Sequence, residues 1–88
     1  MKQGGFFSEL ERQVGLRQAL PLVELAGDKR VLIENHRGIT EYSRETISIC
    51  VVYGQIVVIG SGMRICYMSK DQLVIQGVID EIRIVRRC

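Results

Sequence analysis

Between Leu20 and the end of the chain, apolar and polar positions alternate with a period of two, the spacing that sends successive side chains to opposite faces of a strand. Leu20 and Leu22, then Val31 and Ile33, keep this order, as do Ile47, Ile49, Val51 and Tyr53, and later Met63, Ile65 and Tyr67. The runs break at Gly27-Asp28, Asn35 to Gly38, Ser43 to Glu45, Gly54, Gly60-Ser61-Gly62 and Ser69-Lys70-Asp71. Turn signals about 8 to 12 residues apart predict a mainly β domain, and the gaps are too short for βαβ crossovers. Upstream, Ser8 and Glu11 stand in capping-box spacing around Leu10 and Val14 and predict a short helix from about 9 to 19. Gly15 weakens that helix by about 1 kcal/mol and Pro21 ends it. The expected organisation is therefore a partly helical N-terminal segment, 1–19, and a β domain, 20–88.

A weak repeat runs through the β part. LAGDKRVLI from Leu25, VIGSGMRIC from Val58 and IQGVIDEIRI from Ile75 each set a glycine, at Gly27, Gly60 and Gly77, between aliphatic residues. Glycine at such places suits a tight turn or a bulge. Two architectures accommodate it: a small antiparallel meander or roll, which the imperfect copies favour, and a short β-solenoid-like sheet.

Composition narrows the class. With 88 residues, there is room for one domain and one modest core, since a chain this short buries only about 60 to 65% of its unfolded surface. Apolar residues make up 47% of the chain and Pro21 is its one proline, which favours order over disorder and leaves apolar surface for association. A net charge of +2 is too small for the dominant basic face of a nucleic-acid binder. The C-terminal Arg83, Arg86 and Arg87 form a basic cluster, read either as a solvated edge or as a surface for an acidic protein or an anionic membrane. No apolar run approaches the ~20 residues of a membrane span, and Gly4 to Phe7 is too short for a signal peptide. Cys50, Cys66 and Cys88 match no zinc spacing, and their odd number argues against a disulfide framework. They are expected as reduced thiols, Cys50 and Cys66 within strands as side-by-side core thiols and Cys88 exposed, in a soluble cytoplasmic protein.

Candidate chemistry centres on Val31 to Ser43, VLIENHRGITEYS, which reads as a hairpin whose polar tip is Asn35, His36, Arg37 and Gly38. His36 is the single histidine, with Glu34 and Glu41 near it as orienting carboxylates. No nucleophile accompanies it: Ser43 and Ser48 lack a glycine-rich elbow, and Cys50 lies in an apolar strand. The tip is read either as a simple turn, with Asn35 supplying an Asx-type bond or a left-handed conformation and Gly38 closing it, or as a recognition loop. Gly60-Ser61-Gly62 lacks the Lys-Ser/Thr of a phosphate loop and reads as a hairpin turn. No enzyme activity, metal or cofactor is expected. Exposed strand edges are the other expectation, because an open sheet offers unpaired backbone groups to a partner or a second copy, and Asp80 to Ile84 alternates charges with isoleucines as a protected edge does.

Two blocks carry a resemblance. Val31 to Ile39, VLIENHRGI, with Tyr42 just after, and the L-x-I-x-G-x-I-x-x-I pattern from Leu73 to Ile82 are similar to the YabP/YqfC family of small sporulation proteins, in its YqfC-like branch. The likeness spans about Leu20 to Val85. It implies a role in endospore formation in the mother cell, cytoplasmic or at the forespore membrane, and a connection with a YqfD-like membrane protein. It implies no catalytic residue. The function expected is contact with another sporulation protein; the alternatives are self-assembly within the spore envelope or coat through edge strands and, less favoured, a hydrolase or other enzyme using His36.

Overall fold

The computed structural model describes residues 20–88, and the expected N-terminal helix lies outside them. Strands form where the alternation predicts them: β1 (Leu22–Ala26), β2 (Arg30–Glu34), β3 (Ile39–Tyr42), β4 (Thr46–Val51), β5 (Gly54–Met68) and β6 (Gln72–Val85). They make one six-stranded antiparallel sheet in the order β1-β2-β6-β5-β4-β3. The fold is thus the antiparallel meander or roll; the solenoid alternative is excluded, because every strand pairing is antiparallel and none stacks as parallel rungs.

Two serine turns seal the hairpins locally. Ser43 Oγ accepts the Glu45 and Thr46 amides at 3.2 and 2.9 Å between β3 and β4. Ser69 Oγ accepts the Gln72 amide at 3.1 Å between β5 and β6. A hydroxyl that takes up backbone N–H groups in this way stabilises a tight reversal.

The long β5–β6 hairpin is bent back on itself. A straight strand as long as β6 would run ~45 Å. Yet the Asn35 amide bonds Asp71 O at one end of the hairpin, and the Arg37 amide bonds Cys50 O, where Cys50 pairs with Gln55 and Gln55 with Val85 at the other end. Two residues of chain reach only about 7 Å, so the two ends of β6 are folded close together.

Bending splits the sheet into two layers. One holds β1, β2, the start of β6 and the end of β5; the other holds β3, β4, the start of β5 and the end of β6. Val31, Ile33, Leu73 and Ile75 from the first layer share one buried cluster with Ile47, Ile49, Ile56 and Val58 from the second, with Met63 and Ile79 near the bend. Full burial of each aliphatic contributes about 1.5–3 kcal/mol.

The bend is where Gly60-Ser61-Gly62 lies. This segment is not a hairpin turn but the middle of β5, marked by register shifts against β6 on either side of it. A Cβ on Gly60 would collide with Val78 O, and one on Gly77, whose φ is +153°, would come within 2.7 Å of Met63 Cα. The two outer hairpin turns close the bend from opposite sides. Gly60 and Met63 amides bond Glu45 O and Arg44 O at 3.1 and 3.0 Å, while Gly77 and Ile79 amides bond Lys29 O and Asp28 O at 3.1 and 2.8 Å. The first two bonds take up the amides at either end of the Gly60–Met63 segment.

Candidate interaction surface

The Asn35-His36-Arg37-Gly38 segment does not turn a hairpin. β2 pairs with β1 and β6, and β3 pairs with β4, so the segment crosses from one layer to the other. Hairpin grammar misled here because the same polar, glycine-ended break serves any reversal of direction; which strands it joins is a tertiary matter. Asn35 adopts the left-handed φ of +63°, and its side-chain amide donates to Leu20 O at 2.8 Å. Gly38 O accepts the Cys50 amide at 2.8 Å.

His36 is 9% exposed, and both of its ring nitrogens are engaged. Nδ1 accepts the Gly38 amide at 3.1 Å, so Nε2 carries the proton and donates to Ser69 O at 3.0 Å. The imidazole therefore ties the crossover to the β5–β6 turn. Glu34 accepts instead from the Gln72 side-chain amide at 2.8 Å, and Glu41 from Ser48 Oγ at 3.3 Å, so neither expected carboxylate orients the ring.

Arg37 is exposed, and the fold brings it to the C-terminal arginines. Arg37, Arg86 and Arg87 line one shallow concavity with Tyr53 and the Cys50–Cys88 pair. Arg86 stacks over the Tyr53 ring at 5.2 Å, a cation–π contact that fixes the guanidinium. The Gln55 side chain donates to Arg87 O at 3.1 Å. Arg83 belongs elsewhere: its Nε and Nη2 donate to Glu81 at 3.1 and 2.9 Å. The basic cluster read from the sequence thus divides, and Arg37 joins what remains of it.

The cysteines also depart from expectation. Cys50 and Cys88 are joined by a disulfide across a separation of 38 residues, with Cα atoms 5.6 Å apart, and Cys66 is free and exposed. Cys50 points to the outer side of β4, away from the core row of Ile49 and Val51, which puts it within reach of the tail after β6. Spacing carries no trace of this pairing, since it depends on where a bent strand ends.

Sheet edges complete the surface. Toward the end of β5, Tyr42 Oη accepts the Ile65 amide at 3.0 Å. β2 pairs with β6 only from Gln72 to Gln76, and the bonds from the β1–β2 turn reach no further than Ile79. Beyond that point, Glu81 to Val85 have β5 on one side and no strand on the other among the described residues, Asp80 being skipped where the register shifts between Ile59 and Gly60. Ile84, on the core side of this stretch, is 50% exposed. No helix among the described residues is long and apolar enough to cross a membrane.

Fold and surface define a class: a small all-β roll with a doubled-back central hairpin, a histidine-pinned crossover and an open strand edge. The chain belongs to the YabP family, whose model matches residues 19–87. It is 29% identical over 66 residues to the uncharacterized protein YqfC of Bacillus subtilis (strain 168), an alignment that covers 75% of this chain and 71% of that protein. No solved structure matches it.

Proposed function

We propose that this chain is a non-enzymatic protein of endospore formation that works by protein–protein contact in the mother cell, in the cytoplasm or at the forespore membrane. Membership of the YabP family supports the developmental setting through the resemblance described above. The observation that carries the contact role is the open edge of β6 from Glu81 to Val85. Such an edge is a template for β-augmentation, in which main-chain bonds supply affinity and alternate side chains supply specificity. The commitment of both His36 nitrogens to backbone groups supports a structural rather than chemical use of that residue.

A YqfD-like membrane protein is the partner proposed. The end of the molecule bearing Arg37, Arg86 and Arg87 suits an approach to an anionic surface, where each arginine contributes about 1 kcal/mol. Cross-linking followed by pull-down from sporulating cells tests the proposal. Capture of a sporulation protein is the expected result, and a folded chain that captures none overturns it. The same open edge also supports a second reading, self-assembly into an envelope or coat component; light scattering across a concentration series then shows mass growing without any partner.

A further inference from the structure

We propose that the β6 edge pairs with the same edge of a second copy, as an antiparallel two-fold dimer centred on Ile82. This rests on reading that edge as a contact surface and is independent of the developmental role. Residues directly opposite in an antiparallel pair point to the same face of the sheet, and a two-fold pairing that matches faces is centred on one residue. Ile82 packs against the core, whereas Glu81 and Arg83 hydrogen-bond each other on the outer face. The possible centres are therefore few.

Centring on Glu81 sets Glu81 against its own copy, and centring on Arg83 sets Arg83 against its own copy; like charges directly opposite are destabilising. Centring on Ile84 leaves only Arg83 to Val85 of the strand to pair, because β6 ends at Val85. Centring on Ile82 places Ile82 beside Ile82 on the core side. On the outer side it sets Glu81 opposite Arg83 twice, once in each direction. The in-chain Glu81–Arg83 pair then becomes part of a four-charge cluster.

β1, the strand at one outer edge of the sheet, lacks this property. Its middle residue is Glu24, so full-length self-pairing opposes two carboxylates. β3, at the other, is only 4 residues long. The segment read from the sequence as a protected edge is open instead, and Glu81 and Arg83 point outward from it, with side chains 48% and 55% exposed. They leave the backbone of the edge accessible and select the partner that presents the same two charges in reverse order.

Sedimentation equilibrium on the wild-type chain and three variants tests this, with thermal melts confirming that each variant stays folded. Wild type is expected to go from monomer to dimer as concentration rises. Glu81→Arg alone and Arg83→Glu alone each make both outer pairs repulsive, raising the dimer dissociation constant about tenfold or more. The double exchange, Glu81→Arg with Arg83→Glu, restores it to within about threefold of wild type. An equimolar mixture of the two single variants forms a heterodimer, because each supplies the charge the other lacks. A wild-type chain that stays monomeric throughout, or one whose dimer is unchanged by a single reversal, overturns the proposal. So does a mixture in which the single variants fail to associate. A monomer that nonetheless captures a sporulation protein leaves the contact role standing and assigns the edge to that partner.

Discussion

At the level of single residues, the decisive side chain is His36. A lone histidine beside two glutamates invites a catalytic reading, but the ring sits between two backbone partners, the Gly38 amide and Ser69 O. Truncation to Ala leaves both groups without their partner at a nearly buried site, a loss of about 1–3 kcal/mol. Chemical denaturation of His36→Ala should show a loss of that size, while His36→Gln, which retains a donor and an acceptor, should lose less. Sporulation efficiency should follow stability, so a Gln variant that sporulates would remove any need for imidazole chemistry. The sequence made Asn35 and Gly38 legible as turn-type residues, through their tolerance of positive φ. It did not reveal what His36 touches, because Ser69 is 33 residues away and only the closed roll brings them together.

Among the strand elements, β5 and β6 decide the architecture. Their alternation is readable, and so is the exceptional status of Gly60 and Gly77. The aliphatic repeat around these glycines, however, marks a bend in two long paired strands rather than successive turns. Gly60→Ala drives a Cβ into the carbonyl of Val78, where only movement of the backbone makes room. It is expected to cost more than about 3 kcal/mol or to abolish cooperative unfolding, whereas exposed Ser61→Ala stays within about 0.5 kcal/mol. Melting curves of the two variants check the contrast. Period-two patterning cannot distinguish a bent strand from two strands joined by a turn, because apolar positions resume on both sides in either case.

For the whole molecule, the Cys50–Cys88 link ties the tail to β4 and holds Arg86 and Arg87 near Arg37. Closing a loop of this length removes unfolded-state entropy worth on the order of 4 kcal/mol in the chain-entropy account. Reduction, or Cys88→Ser, should lower the melting temperature accordingly. Alkylation of the unreduced chain followed by mass measurement should label Cys66 alone, and all three cysteines after reduction in denaturant.

Sequence alone determined that the chain folds as strands, roughly where most of them begin and end, and that it belongs with YabP/YqfC-type proteins. These properties are local: side-chain periodicity, turn chemistry and motif order are written along the chain. Tertiary structure decided that β2 and β3 part to different layers, that Arg37 joins the C-terminal arginines while Arg83 leaves them for Glu81, that Cys50 meets Cys88, and that the end of β6 remains open. The parting of β2 and β3 follows from bending the β5–β6 hairpin, and the meeting of Cys50 with Cys88 from the pairing of β4, β5 and β6, which bring together residues far apart in sequence, while the Glu81–Arg83 pair depends on which face of β6 is turned outward.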